Sequence, residues 1–151
     1  MLGIRKLAAI RSQVSNNAKR SWTVNRKQLV SDFWDSMNSR NWGKLPSYFA
    51  QTAVINWHGS NECFSVEEFV LVNSEYPGKW QIELEKLLEA GDTAVSVVRV
   101  TLEGGDMVFH ATSFFQFLDG KISLLDEYWG EADGSPPTWR AEMGIGRPIA
   151  P

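Results

Sequence analysis

Four strand-like segments fill the chain between residues 80 and 129, and they constrain the fold more than any other feature. The turns that join them combine Gly with Asp, Glu or Lys, which is typical of hairpin connections. Strands joined by such short turns pair side by side in opposite directions. The sequence therefore predicts a four-stranded antiparallel meander with strands at 80–89, 93–102, 107–118 and 122–129.

Three helices are predicted ahead of this meander. At 25–41, apolar residues recur at the spacing of an amphipathic helix, namely Leu29, Val30, Phe33, Trp34 and Met37. A short helix at 44–49 and a short strand at 52–57 follow. A capping box at Ser65 begins a third helix, which we expect to end near Ser74. Helices followed by a meander predict an α+β fold in which three N-terminal helices wrap a mostly antiparallel sheet.

The chain has 151 residues, of which 43% are hydrophobic, enough for one sizeable core. We divide it into a basic N-terminal extension at 1–24, a folded domain at 25–131 and a Pro- and Gly-rich tail at 132–151. We expect this tail to be irregular and to pack through Trp139. No apolar run approaches the ~20 residues that cross a bilayer, so no membrane partner is expected.

Charge is distributed unevenly along the chain. Residues 1–31 carry seven basic and no acidic side chains, whereas the remainder carries an acidic excess. We expect this basic start to be a solvated tail on a cytoplasmic protein. The alternative is a mitochondrial presequence, which typically has such an acid-free start with apolar residues, here Leu7, Ile10 and Val14, at helical spacing. An acidic body repels phosphates, so we expect no nucleic-acid partner.

Cys63 is the single cysteine, and the two histidines are not clustered. An internal disulfide is therefore excluded, and no zinc-binding pattern is present. A reducing compartment, no metal and no cofactor are expected. We interpret Cys63 as an inert thiol near a loop rather than as a nucleophile, since reactive thiols usually lie beside a base.

Several motifs in fixed order resemble the nuclear transport factor 2-like (NTF2-like) superfamily, and within it the SnoaL-like group. They lie at 33–42, 48–54, 114–122 and 126–129, so that the resemblance spans about residues 25–131. The resemblance implies a curved sheet that forms a cone-shaped barrel around a small-molecule pocket. This scaffold hosts isomerases, cyclases, hydrolases and proteins that only bind, so fold alone does not decide the activity.

The known chemistries of the superfamily can be carried over position by position. The three catalytic positions of ketosteroid isomerase fall on Phe33, Trp57 and Ser113, none of which supplies the required groups. With Phe115 and Trp129, these residues are expected to line the pocket. Similarity to limonene-epoxide hydrolase implies an active-site carboxylate at Glu127 and an Arg at Arg99, with Thr101 where a second carboxylate would stand. Similarity to SnoaL-type cyclases leaves His110 and Asp126 as candidates.

The candidate catalytic residues are Glu127, Arg99 and His58. Successive side chains of a strand point to opposite faces, so a Glu127 that faces inward is desolvated among apolar neighbours and acquires a raised pKa. Arg99 is interpreted as a clamp for a substrate oxygen, or as an ion-pair partner that closes the pocket beside Glu127. His58 lies in a His-Gly-Ser turn, where it is a candidate base near pH 7.

Two functions remain open from the sequence. The first is a cofactor-free acid–base isomerase, cyclase or hydrolase that acts on a small hydrophobic molecule. The second is a pocket that binds such a molecule without transforming it. In either case, Phe114, Leu124 and Tyr128 are expected on the outer face of the sheet, where an apolar patch predicts a homodimer through the sheets.

Overall fold

Helix α1 (Arg26–Asn38) opens the part of the chain that the computed structural model describes, residues 25–132 and 134–149. Its N-cap, Asn25, accepts a hydrogen bond from the backbone N–H of Gln28, which satisfies one of the free donors of the first turn. The apolar stripe predicted from the sequence is buried against the sheet. The predictions for residues 1–24 lie outside the described residues.

The strands form one sheet with the order β2-β1-β6-β5-β4-β3. Their bounds are β1 Phe49–Trp57, β2 Glu62–Phe64, β3 Trp80–Ala90, β4 Thr93–Leu102, β5 Val108–Leu118 and β6 Lys121–Glu131. Strands β3 to β6 pair antiparallel with their neighbours, which confirms the predicted meander. The α+β class and the mostly antiparallel sheet are also confirmed.

One edge of the sheet differs from the prediction. Strand β1 pairs parallel with β6, and the three-residue strand β2 adds antiparallel to β1. Sequence analysis missed β2 because three residues are too few to establish a period of two. The parallel pair joins strands from the two ends of the domain. No short turn connects them, so no turn sequence predicts their pairing.

The helices differ from the prediction in type and in number. The second is a 3₁₀ helix (Leu45–Tyr48), and the third, α2 (Val66–Ser74), has the predicted bounds and capping box with Glu68. The tail is not wholly irregular, because Thr138–Glu142 forms helix α3 after Pro137. The expectation that the tail packs through Trp139 is wrong: this side chain is 64% exposed, and no residue of α3 is buried.

The core centres on the ring of Phe33, which is completely buried. It contacts rings from α1, the 3₁₀ helix, β1, α2 and β5, with centroid distances of 4.9–6.4 Å, at Trp34, Tyr48, Phe49, Phe69 and Phe115. Most of these pairs are edge-to-face, the arrangement that the ring quadrupole favours. Helices α1 and α2 and the 3₁₀ helix are thereby packed onto the inner face of the sheet. No helix within the described residues is both long and apolar enough to cross a membrane.

The capping box of α2 allows a direct test of a feature read from the sequence. The Ser65 hydroxyl accepts from the Glu68 backbone N–H, and the Glu68 carboxylate accepts from the Ser65 backbone N–H. Because Ser65→Ala leaves the Glu68 backbone N–H without its acceptor, we expect it to lower the free energy of unfolding by about 1 kcal/mol in urea denaturation. Ser60→Ala, in the preceding turn, is the matched control. Equal stabilities of the two variants would contradict the proposed role of the cap.

Candidate acid–base site on the inner face of the sheet

A row of polar residues crosses the otherwise apolar inner face of the sheet. Ser96 of β4 pairs with Ser113 of β5, Ser113 pairs with Glu127 of β6, and Glu127 pairs with Trp57 of β1. Because paired residues of adjacent strands point to the same face, these side chains lie side by side. Ser96, Ser113 and Glu127 are each no more than 1% exposed.

The Glu127 carboxyl group occupies the centre of this row. Its Oε2 accepts a hydrogen bond of 2.6 Å from Trp57 Nε1, and its Oε1 accepts one of 3.3 Å from the Ser113 hydroxyl. The Trp129 side chain also hydrogen-bonds to the carboxyl group. The three donors lie on three different strands, β1, β5 and β6. The pairing of these strands therefore holds the carboxyl group in place.

Burial dominates the electrostatics of Glu127. Removal from water disfavours the charged form and raises its pKa from 4.5 to about 7, against the opposing effect of the hydrogen bonds from Trp57, Trp129 and Ser113. The Ser113 hydroxyl can donate to the ionised carboxylate or accept from the protonated acid. Both protonation states are therefore accommodated near neutral pH.

Helix α1 contributes a hydrogen-bond donor to Ser96, the member of the row on β4. Trp34 Nε1 donates to the Ser96 hydroxyl at 3.0 Å, and the same indole packs edge-to-face on Phe115. Every buried side-chain nitrogen and oxygen in the described part of the chain has a hydrogen-bond partner. The buried polar side chains of the row are thus all satisfied, which is the condition under which polar groups are tolerated in a core.

The predicted assignment of strand faces is correct for β5 and β6. Ala111, Ser113 and Phe115 are buried on the inner face, as are Leu125 and Glu127. Their neighbours on the outer face include Phe114 and Tyr128, which are 40% and 47% exposed. The homodimer through this face stays a prediction.

Arg99 does not lie beside Glu127. The inner face of β4 carries Ser96, Val98 and Val100, which are all buried, so the alternation of the strand places Arg99 on the outer face. There it pairs with His110 of β5 rather than with the carboxylate. The expected ion pair between Glu127 and Arg99 is therefore absent. The motif-based comparison placed both residues on late strands but did not fix the face of β4 on which Arg99 lies.

His58 also lies on the outer face. Its Nε2 is 2.8 Å from Asp126 Oδ1, and its ring stacks on Tyr128 with a centroid distance of 4.4 Å. Asn56 Nδ2 donates to the same Asp126 oxygen at 2.9 Å. Burial opposes ionisation of Asp126, but the hydrogen bonds from Asn56 and His58 outweigh it and lower its pKa. The three candidate catalytic residues thus do not converge on one point.

The remaining predicted site residues fall into three groups. Phe33 and Phe115 are fully buried in the aromatic core, while Trp57, Ser113 and Trp129 contact the Glu127 carboxyl group. His110 lies 3.8 Å from Glu85 on the outer face, and Cys63 is exposed in β2. Within the described ranges, no three His, Cys, Asp or Glu side chains are grouped so that they could hold a metal ion.

Sequence reasoning missed that the two indoles hold the carboxylate. The sequence predicts Trp57 and Trp129 only as pocket-lining residues, whereas both side chains hydrogen-bond to Glu127. The contact with Trp57 depends on the parallel pairing of β1 with β6, which no local pattern predicts. The buried acid itself gave a usable signal, because an acidic residue at an inward position needs hydrogen-bond donors nearby.

The comparison with protein families agrees with this architecture. A family model described as a SnoaL-like domain matches residues 30–125, from within helix α1 to the first part of strand β6. The chain belongs to the SnoaL-like domain family. No curated protein matches the chain significantly in sequence.

Solved structures of related proteins share the fold. A candidate ketosteroid isomerase from Kribbella flavida is 28% identical, with 82% of this chain and 90% of that chain covered and a TM-score of 0.70. An LEH-like epoxide hydrolase from M. tuberculosis is 11% identical, with 69% and 81% covered and a TM-score of 0.58. A candidate SnoaL-like polyketide cyclase from Shewanella putrefaciens is 12% identical, with 76% and 85% covered and a TM-score of 0.59. The last two similarities establish the fold alone.

The raised pKa of Glu127 predicts a specific dependence of stability on pH. Between pH 4.5 and about 7 the unfolded chain ionises this residue while the folded protein keeps it protonated, so the free energy of unfolding falls as the pH rises through this window. Relative to a Glu127→Gln variant, we expect the wild type to lose about 3 kcal/mol between pH 4 and pH 8 in urea denaturation, since one pKa unit equals about 1.4 kcal/mol.

The control for this experiment is Glu131→Gln, which removes an exposed carboxylate from the same strand. This variant should follow the pH dependence of the wild type. If the difference between the wild type and Glu127→Gln does not change with pH, the carboxyl group does not change its protonation on folding.

Proposed function

We propose that the protein is a cofactor-free acid–base enzyme of the isomerase, cyclase or hydrolase type. Its substrate would be a small hydrophobic molecule with a carbonyl, epoxide or enol group, and Glu127 would transfer the proton. The observation that carries this proposal is the completely buried carboxyl group with a pKa of about 7. A group with this pKa populates both its acid and its base form near neutral pH, which general acid–base catalysis requires.

The surroundings of Glu127 support a role in proton transfer. Trp57, Trp129 and Ser113 hold both carboxyl oxygens in one orientation, which keeps the reacting atom in place. Trp57 and Trp129 are partly exposed, in contrast to the other members of the row, so a substrate would reach the carboxyl group beside these indoles. Their rings also provide the apolar wall that a hydrophobic substrate needs.

The names of related proteins are consistent with this class of reaction. Proteins of similar structure are described as a candidate ketosteroid isomerase, an epoxide hydrolase and a candidate polyketide cyclase. The positions that serve ketosteroid isomerase are occupied here by Phe33, Trp57 and Ser113, so the proposed enzyme does not use that catalytic set. Arg99 and His58 lie on the opposite face from Glu127 and have no part in the proposed proton transfer.

The Glu127→Gln variant tests the proposal in a panel of small carbonyl compounds, epoxides and enols. Because an amide cannot exchange the proton, we expect kcat to fall by a factor of ~10² to 10⁴ for any compound that the wild type converts, with little change in KM. The expected pH profile of the wild type bends near pH 7, the pKa of Glu127. Glu131→Gln is the matched control and should retain full activity. Retained turnover in Glu127→Gln would exclude Glu127 as the proton-transfer group.

Binding without conversion is the second candidate function. It is favoured by the observation that both Glu127 oxygens already accept hydrogen bonds within the protein. Under this alternative, the carboxyl group is structural and the indoles form the binding surface. Glu127→Gln would then leave the affinity for a hydrophobic ligand within a few-fold of the wild type, and the panel would show no turnover with either protein.

A further inference from the structure

A polar groove of about 470 Å³ lies along the free edge of the sheet, remote from Glu127. Edge strand β3, the neighbouring strand β4 and the turn after α1 form its walls, with the lining residues Asn38, Ser39, Arg40, Trp80, Gln81, Ile82, Glu83, Arg99, Thr101 and Glu103. Its volume falls within the range of small-molecule sites. Asn38 also accepts a hydrogen bond of 2.8 Å from the Ile82 backbone N–H, which ties the end of α1 to the sheet edge.

The guanidinium group of Arg99 is available in this groove. Arg99 is half-buried, and its cross-strand neighbours are Glu83 and His110. It nevertheless forms no ion pair and no side-chain hydrogen bond with any described residue, since the ion pairs among these residues involve other cations. A partly desolvated guanidinium without a partner retains its capacity to bind an oxyanion with two parallel hydrogen bonds.

Arg40 supplies a second guanidinium, which pairs with none of the residues in the described ranges, at an unusual backbone position. It follows the end of α1 with a φ of 56°, in the left-handed region. The backbone N–H of Arg40 donates to Met37 O, and that of Asn41 donates to Ser36 O, which is the bonding pattern of a helix end that usually carries glycine. A side chain with a Cβ is strained in this conformation. Such an outlier at a groove suggests a functional side chain.

The acidic and polar residues of the groove restrict the ligand further. Glu83 and Glu103 also line it, so the charges of the two arginines are matched by two carboxylates. A carboxylate accepts hydrogen bonds from hydroxyl or ammonium groups. The groove therefore offers donors for an anion and acceptors for a ligand's own donors, with Trp80 as an apolar wall.

We propose that this groove binds a small organic acid that carries a hydroxyl or amino group. Arg40 and Arg99 bind its carboxylate, and Glu83 and Glu103 accept hydrogen bonds from its hydroxyl or ammonium group. The site goes beyond the proposed function and is independent of it, since none of its lining residues contacts Glu127. The site includes Arg99, which was predicted as a catalytic residue but lies on the outer face, away from Glu127.

Three four-carbon acids test the proposal on the full-length protein by ¹H–¹⁵N NMR titration. Malate carries a hydroxyl group, aspartate an ammonium group and succinate neither. We expect saturable shifts confined to residues 38–41, 80–83 and 99–103 with malate or aspartate, and affinity for succinate that is at least 3-fold weaker. Arg99→Gln should weaken the better ligand by about 10-fold or more, a typical loss for a charge-assisted hydrogen-bond pair. Arg140→Gln, at an arginine in α3 outside the groove, should leave the affinity unchanged.

The variant Arg40→Gly separates binding from folding. Glycine relieves the left-handed conformation, so we expect a Tm that is higher by about 2–4 °C together with affinity that is lower by about 10-fold. Undiminished affinity in Arg40→Gly would overturn the role of this guanidinium. Shifts spread over the whole surface, an equal loss in Arg140→Gln, or equal affinity for succinate and malate would overturn the proposed site or its ligand class.

Discussion

Desolvation of the Glu127 carboxyl group is the constraint on which the inner face of the sheet depends. A carboxyl group in an apolar core destabilises the fold unless its hydrogen bonds are satisfied. The neighbouring strands provide them through Trp57, Trp129 and Ser113, and Trp34 extends the same polar row to Ser96. The pairing of β1, β5 and β6 thereby fixes the surroundings of one titrating group.

The two faces of the sheet have different chemical characters. The inner face holds one buried acid within an aromatic core, and burial raises the pKa of this acid to about 7. On the outer face, His58, Asn56 and Tyr128 surround an Asp126 whose hydrogen bonds favour its charged form. Asp126 and Glu127 are adjacent in sequence, yet their pKa values move in opposite directions: desolvation outweighs the hydrogen bonds at the fully buried Glu127, whereas the hydrogen bonds outweigh desolvation at the partly exposed Asp126. The groove at the sheet edge adds a third polar surface, on which Arg99 and Arg40 lie.

Much of this architecture could be predicted from local patterns. The meander follows from β-branched segments and glycine turns, α1 from its apolar stripe, and α2 from the reciprocal hydrogen bonds of Ser65 and Glu68. The inward orientation of Glu127 followed from the resemblance and the period of two. Strand β2 and helix α3 were missed because such short elements depend on contacts more than on periodicity.

The sequence alone determined the fold class, the family and the identity of the one acid that the inner face buries, because these depend on local patterns and on motif order. Only the tertiary structure decided which residues accompany that acid. Glu127 and Trp57 are separated by most of the domain and meet through a parallel strand pair, which has no local signal. Whether Arg99 faces Glu127 or the sheet edge depends on the phase of β4 relative to the core, which the buried neighbours Val98 and Val100 set. Register and phase are properties of the assembled sheet, and they separated the predicted catalytic set into two faces.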